Sequence, residues 1–141
     1  MMVVVDTSVW SLALRRRSQS LSAEEELVRD ELAELIREGR AHMIGPVRQE
    51  VLSGIRSRSQ YDRLRQDLRA FEDPGLGVED YEAAALASNH CRTAGVSGSA
   101  VDFLICAVAL RRNWSVFTMD KDFARYARHL PLRLHQPRPN A

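Results

Sequence analysis

Five carboxylates in this chain occupy positions where a negative charge is costly for a folded protein unless something neutralises it. Asp6 ends an apolar run of valines, and Asp102 is the one charge in the apolar segment 100–110. A buried carboxylate costs several kcal/mol unless it is neutralised, paired or bound to a metal, and matching basic residues do not accompany these acids. The pattern therefore indicates a shared divalent cation held by oxygen ligands. The five acids are Asp6, Glu50, Asp102, Asp120 and Asp122.

Each of these acids, taken alone, also has an ordinary structural explanation. Asp6 fits a turn or a helix cap after a strand, and Asp102 fits the first turn of a helix, where the helix dipole favours an acid. Glu50 fits a surface position on a helix. Asp120 and Asp122 fit a loop acid followed by a helix cap. Their joint placement at the ends of separate core elements favours a common site.

Apolar runs predict the strands of a sheet, and helical spacing predicts the elements between them. Residues 2–5 form a fully apolar run typical of a strand covered on both faces. Further strands are predicted at 41–44 and 114–118, with a candidate edge strand at 132–134. Helices are predicted through 9–14 after a Thr7-Ser8 cap, from the Ser22–Glu25 capping box to Gly39, through 46–52, and over 56–72, 79–93, 100–112 and 122–129.

Alternating strands and helices predict an α/β fold with a parallel sheet and right-handed crossovers. Such sheets place their functional sites outside the carboxyl ends of the strands. Asp6 and Asp120 follow two of these ends, and Glu50 and Asp102 lie early in helices that could approach the same edge. The sequence therefore predicts one site at one edge of the sheet.

Length and composition fit one domain over 1–136 with a frayed tail at 137–141. A chain of 141 residues is long enough to bury roughly two-thirds of its unfolded surface. No apolar stretch approaches the ~18 residues of a membrane span, and the start lacks the basic head of a signal peptide. We therefore expect a cytoplasmic protein without a membrane partner. Cys91 and Cys106 have no CxxC spacing, and the histidines are scattered, so no zinc motif is present in the sequence.

Charge is unevenly distributed along the chain. The segment 22–38 carries seven acids and two arginines, whereas 46–71 carries six arginines and three acids. Lys121 is the only lysine. Arginine forks suit phosphate recognition, but a GC-rich genome would give the same bias, and composition alone leaves both explanations open.

Four segments resemble, in order and spacing, the acidic motifs of PIN-domain ribonucleases. The likeness is closest to the VapC-type toxins of bacterial toxin–antitoxin pairs, and it spans residues 3 to about 123. The segments are Val4-Val5-Asp6-Thr7-Ser8-Val9-Trp10, Gln49-Glu50-Val51-Leu52-Ser53-Gly54, Ser99-Ala100-Val101-Asp102-Phe103-Leu104-Ile105-Cys106-Ala107 and Thr118-Met119-Asp120-Lys121-Asp122-Phe123.

The resemblance implies a Mg²⁺- or Mn²⁺-dependent endoribonuclease on a three-layer α/β/α sandwich. It assigns Asp6, Glu50, Asp102 and Asp120 as the metal-binding catalytic acids, with Asp122 as an auxiliary ligand. Thr7 and Thr118 match hydroxyl positions that support the site. The implied partners are an RNA substrate, a second copy of the chain in a homodimer, and a cognate antitoxin protein. The loop 97–99 departs from the family pattern, and the natural RNA and the number of metal ions stay open.

Other functions fit the sequence less well. An aspartate-nucleophile phosphatase needs a second acid two residues after Asp6, where this chain has Ser8. A phospho-receiver domain needs an early acidic pair, and an RNA-binding module needs aromatic stacking patches that a chain with 6% aromatic residues does not supply. A PIN-like scaffold that binds a partner or RNA without cleaving it is the remaining alternative.

An acidic site repels the phosphates that it must cleave, so basic residues nearby are needed to hold the strand. The residues available for this are Arg15, Arg16 and Arg17 and the arginines of the segment 56–69. For each of them, a solvated helix face is the alternative explanation.

Overall fold

Three short parallel strands, in the order β2-β1-β3, run through the centre of the fold. The computed structural model describes residues 1–16 and 20–139, so Arg17 and the last two residues of the predicted tail lie outside the described part. The elements are β1 (Val3–Val5), α1 (Thr7–Leu14), α2 (Ala23–Arg37), β2 (Ala41–His42), α3 (Gly45–Leu52), α4 (Arg58–Leu68), α5 (Val78–Thr93), α6 (Ala100–Arg112), β3 (Ser115–Phe117) and α7 (Asp122–Tyr126).

The central strand β1 is buried on both faces, as its apolar run predicts. Val3 pairs with Ala41 of β2 and with Ser115 of β3, both in parallel register. Val3, Val4 and Val5 are all fully buried, although successive side chains of a strand point to opposite faces. Helices therefore cover both faces of the sheet, and the predicted three-layer α/β fold is confirmed.

The helix α6 packs on β1 and β3, and α5 packs on α6. All residues of α6 from Phe103 to Ala109 are buried, so this helix is apolar around its whole circumference. It ends at Asn113, whose backbone is left-handed with φ 59°. No helix in the described part of the chain is long and apolar enough to cross a membrane.

The beginning of α2 is as predicted, whereas the beginning of α1 is not. Ser22 accepts a hydrogen bond from the Glu25 amide at 3.1 Å, and Glu25 accepts one from the Ser22 amide at 2.9 Å. The cap of α1 is Asp6 itself, which accepts from the Ser8 amide at 3.4 Å. The Thr7-Ser8 cap is therefore wrong by one residue, because the Asp6 carboxylate already accepts from an amide of the first turn.

The second strand is shorter than its apolar pattern suggests. Only Ala41 and His42 pair with β1, although Met43 and Ile44 are fully buried. Ile44 caps α3, which begins at once with Gly45 and a proline in its first turn. Met43 and Ile44 are therefore buried without pairing in the sheet.

The helix predicted over 56–72 is confined to α4, which has Ser57 as its cap. The chain after α4 is held against α3 by Arg48. Its guanidinium donates to the Leu68 carbonyl at 2.8 Å and to the Phe71 carbonyl at 2.5 Å, and it pairs with Asp73 at 2.9 Å. These carbonyls bond to a side chain, so the helix does not continue.

The segment after α7 packs on α2 and β3. The candidate edge strand at 132–134 is reduced to one bridge between Leu134 and Val116. Glu31 of α2 is buried and accepts from Arg138 at 2.9 Å and from His135. Burial alone would raise the pKa of Glu31, but these two partners hold that pKa below its usual range. The part of the predicted tail that is described is therefore tied to α2 through Arg138.

Asp80 of α5 forms a buried ionic contact with α6. It is 2% exposed, pairs with Arg111 at 2.6 Å and with Arg112 at 3.0 Å, and accepts from the Gly77 amide at 2.9 Å. Burial would raise its pKa, yet the Gly77 amide and the two guanidinium groups lower the pKa from 3.8 to about 2.

We predict that Asp80→Asn lowers the free energy of unfolding by about 2 kcal/mol at pH 7. Because the folded pKa is depressed, this stabilisation is complete above the unfolded pKa and is lost as the pH falls from about 4 to about 2. Urea unfolding across this range should show wild type and variant converging. Asp30→Asn, at an exposed ion pair with Arg29, is the control and should change stability little. A difference independent of pH would contradict the ionic explanation.

Candidate metal centre

Three carboxylates from two helices and a loop converge near the carboxyl end of β3. Asp102 lies in the first turn of α6, Asp120 precedes α7, and Asp122 is the first residue of α7. One oxygen from each lies within 4.8 Å of one from each of the others. Hard divalent cations prefer carboxylate oxygens, so these three residues fit a Mg²⁺ or Mn²⁺ ion.

The position of Asp102 is fixed from two sides. The Asp102 amide donates to the Ser99 hydroxyl at 3.1 Å, which caps α6. The Tyr126 hydroxyl donates to Asp102 Oδ2 at 2.7 Å. Tyr126 is fully buried between Phe103 and Phe123, with ring centroids 4.9 Å and 5.2 Å away. The ring cannot leave without opening the core, so it holds the carboxylate in one orientation.

Tyr126 remains a hydrogen-bond donor at neutral pH. Burial and the adjacent carboxylate of Asp102 both raise its pKa. Gly98 supplies the room that the hydroxyl needs, since a Cβ at this position would overlap the hydroxyl and lie 2.7 Å from the Tyr126 Cζ atom. The loop 97–99, where the sequence departs from the family pattern, therefore accommodates the side chain that orients Asp102.

Asp6 lies at the end of β1, where it is 5% exposed. Its Oδ2 atom accepts from the hydroxyls of Ser8 at 2.7 Å and Thr118 at 2.8 Å, in addition to the capping bond from the Ser8 amide. Burial raises the pKa of Asp6, and the hydrogen bonds only partly counter this effect. A nearby cation would favour the charged form of this carboxylate.

Asp6 lies outside the group of three acids, but its charge reaches that group. The pKa of Asp102 is raised, first by burial and then by the charges of Asp6 and Asp120. Thr118 links the two neighbours of Asp102 because it donates to Asp6 and accepts from the Asp120 amide at 2.9 Å. Four acids thus share one electrostatic environment, in which like charges repel unless a cation is present.

Glu50 lies on α3, beside the acids and outside their close group. It is exposed, and its Oε1 atom accepts from the Thr7 hydroxyl at 2.7 Å. The two residues line a cavity of about 580 Å³ together with Val101, the neighbour of Asp102. Thr7 and Thr118, the hydroxyl residues singled out in the sequence, therefore both hold acids. The role of Glu50 as a metal ligand stays a prediction.

Three residues that position the acids carry no clear signal in the sequence. Ser8 accepts from the Met119 amide at 3.0 Å while it donates to Asp6, which joins the start of α1 to the loop after β3. Tyr126 and Gly98 meet only because α7 packs against α6. The contacts with Met119, Asp102 and Tyr126 each join residues more than 20 positions apart, beyond the reach of local periodicity.

Comparison with known proteins places this arrangement in a recognised fold. A family model described as PIN domain matches residues 3–129. The crystal structure of FitAcB from Neisseria gonorrhoeae superposes with a TM-score of 0.74 at 20% identity, over 96% of this chain and 98% of that chain.

Two further structures superpose at similar levels. VapBC2 from Rickettsia felis, bound to a DNA fragment from their promoter, gives a TM-score of 0.71 at 16% identity, over 96% of this chain and 98% of that chain. A toxin–antitoxin complex from Klebsiella pneumoniae gives a TM-score of 0.63 at 17% identity, over 86% of this chain and 90% of that chain. At these identities the likeness shows the fold. Comparison with curated proteins gave no match.

We predict that Mn²⁺ raises the melting temperature of this protein by several degrees, because a ligand that binds only the folded state stabilises it by mass action. Asp120→Asn should abolish most of this rise. In EDTA the same variant should be at least as stable as wild type, since one repelling charge is gone. Asp62→Asn on α4, an exposed acid paired with Arg58, is the control and should keep the wild-type response. A melting temperature indifferent to Mn²⁺ would refute the site.

We predict that Tyr126→Phe weakens Mn²⁺ binding about tenfold while the fold survives, because the ring remains and only the bond to Asp102 is lost. Gly98→Ala should have a similar effect by displacing the hydroxyl. Gly75→Ala is the matched control, since its Cβ would meet nothing within 4 Å. Isothermal titration calorimetry measures all four proteins. Wild-type affinity in Tyr126→Phe would show that the hydroxyl does not position the ligand.

Proposed function

Because the chain belongs to the PIN domain family, we propose that it is a divalent-metal-dependent endoribonuclease that acts as the toxin of a toxin–antitoxin pair. The observation that carries this proposal is the convergence of Asp102, Asp120 and Asp122 within 4.8 Å at the carboxyl end of the sheet. A structural role would not require three like charges at one point. The donor set consists of oxygen atoms alone, which matches Mg²⁺ or Mn²⁺.

The proposed roles follow from the surroundings of each acid. Asp102, Asp120 and Asp122 would hold the cation, and Asp6 and Glu50 would complete the acidic site. A bound Mg²⁺ or Mn²⁺ would lower the pKa of an attacking water and stabilise charge on the phosphodiester. The protein contributes orientation: Tyr126 fixes Asp102, and Thr118 fixes Asp6 and Asp120.

The hydrolysis that we propose breaks the bond between phosphorus and the leaving ribose oxygen, while the oxygen of water forms a new bond to phosphorus. The water loses a proton and the leaving oxygen gains one. Carboxylates that accept hydrogen bonds in fixed positions can orient the water for in-line attack. Asp6, whose carboxylate is held in place by the hydroxyls of Ser8 and Thr118, would be one of these acceptors.

A protein partner is part of the proposal. One of the structural relatives is a toxin–antitoxin complex, and we propose that this chain likewise binds a cognate antitoxin. RNA as the substrate and a homodimer as the assembly stay predictions. The alternative is a PIN-like scaffold that binds its partner or RNA without cleavage, and the same acids decide between the two.

We predict that Asp102→Asn lowers the rate of metal-dependent RNA cleavage by orders of magnitude, because it removes one charge from the ligand set while keeping the volume. Gel electrophoresis of a panel of structured and single-stranded RNAs in Mg²⁺ or Mn²⁺ provides the measurement. Asp30→Asn, at an exposed ion pair on α2, is the control and should keep the metal-dependent rate within a few-fold of wild type. Equal cleavage by Asp102→Asn and wild type would refute the catalytic assignment, and no metal-dependent cleavage by wild type would favour the scaffold.

A further inference from the structure

We propose that a cavity lined by Arg15, Arg56 and Arg63 binds the sugar–phosphate backbone of the RNA at a distance from the point of cleavage. This inference rests on the proposed function and adds to it a substrate-binding site separate from the acids. We call it the arginine cavity. It has a volume of about 710 Å³ and lies between the C-terminal end of α1, the loop after α3, and α4.

The three arginines of this cavity have no partner among the described residues. All three are exposed, and none forms a hydrogen bond or ion pair within the described part of the chain. Some other arginines are bound within the fold: Arg16 pairs with Glu25 at 2.7 Å, and Arg48 is bound to the chain after α4. Free guanidinium groups that share a concave wall are suited to forked hydrogen bonds with phosphate oxygens.

The remaining lining also suits a nucleic acid. Gln60 and Gln66 supply amide groups that can bond to bases or sugars, and Leu14 and Ile55 supply apolar surface. Asp67 is the one acid among the described lining residues. The cavity therefore combines positive charge with the mixed polarity of a nucleotide.

The arginine cavity adjoins the acidic site through two consecutive residues. Ser53 lines the cavity that contains Glu50, and Gly54 lines the arginine cavity. The helix α1 connects the same two places, with Thr7 bonded to Glu50 at one end and Arg15 beside Gly54 at the other. Arg15 follows Thr7 by eight positions along the helix, which is roughly 12 Å. A strand of a few nucleotides can span this length.

Electrostatics favours RNA over other occupants. The acids repel every phosphate that is not bound at the cation, so a polyanion needs a second point of attachment. The arginine cavity supplies this second point of attachment, and a short RNA strand can reach it from the acids. An acidic peptide from a protein partner would also meet these arginines, and the experiment distinguishes it.

The experiment compares two triple variants that each remove three positive charges. The cavity variant carries Arg15→Gln, Arg56→Gln and Arg63→Gln. The control variant carries Arg58→Gln, Arg65→Gln and Arg69→Gln, whose side chains lie on α4 or at its end and do not line the cavity. All six residues are exposed, so both variants should melt within a few degrees of wild type.

The probe is a fluorescein-labelled single-stranded oligoribonucleotide of mixed sequence, and anisotropy in EDTA measures binding without cleavage. The cavity variant should bind about tenfold or more weakly than wild type. Its plot of log affinity against log salt should be flatter by about 2, since each phosphate contact of a single strand contributes about 0.7. The control variant should keep the wild-type slope.

Strand length provides an independent readout. Dinucleotides are too short to reach from the acids to the arginine cavity, so wild type and the cavity variant should cleave them at equal rates with Mn²⁺. Longer oligoribonucleotides should show a higher KM for the cavity variant with little change in kcat, because the cavity binds substrate without contacting the reacting phosphate.

Distinct outcomes identify which proposal fails. If wild type neither binds nor cleaves any RNA, the proposed function fails and this inference with it. If wild type cleaves RNA and the cavity variant keeps its salt slope, the arginine cavity is not an RNA site. The same conclusion follows if both triple variants flatten the slope equally, or if the cavity variant loses affinity for an acidic peptide of the partner while RNA binding is unchanged.

Discussion

Repulsion among carboxylates at one end of the sheet is the constraint on which the rest of the structure depends. The acids converge although their charges oppose it: burial raises the pKa of Asp102, and the charges of Asp6 and Asp120 raise it further. The apolar core provides the force that brings them together, since β1, most of α6 and the ring of Tyr126 are buried behind them. Hydroxyl groups then hold the carboxylates individually: Thr7 binds Glu50, Thr118 binds Asp6, and Tyr126 binds Asp102.

The same residues that form the site also determine where helices begin. Asp6 caps α1, and Ser99 caps α6 so that Asp102 falls in its first turn. Helix N-termini carry a partial positive charge that favours a carboxylate. Each of these two acids is therefore presented by a helix end that partly offsets the cost of its burial. The formation of these two helix ends therefore also places the two acids.

The sequence predicted the features that interrupt an apolar pattern or mark the beginning of a helix. Asp6 and Asp102 stood out because each breaks an apolar segment, and the Ser22 capping box appeared where its pattern indicates. Boundaries that depend on contacts across the fold were not predicted. The strand at 41–44 stops at His42, where the next helix begins. The helix over 56–72 is limited to α4, because the carbonyls after it bond to Arg48.

Sequence patterns singled out the acids and two of the hydroxyls that bond to them, Thr7 and Thr118, whereas no such pattern marked Tyr126 or Gly98. In the sequence, Tyr126 is an ordinary apolar position of a short helix. Its role depends on the packing of α7 against α6, which the sequence does not show. Glu31, one acid of an acidic helix, gives no sign that it is buried against the end of the chain. Such partners lie far apart in sequence, and only the tertiary structure pairs them.

The number of residues in α1 limits which insertions and deletions the protein can tolerate. One more residue in a helix advances its end by about 1.5 Å and turns every later side chain by about 100°. An insertion within α1 would therefore point Arg15 away from the cavity while leaving Asp6 untouched. The length of α1 acts as a fixed spacer between the acids and the arginines, so we expect substitutions on its less buried side to be tolerated far better than any change in its number of residues.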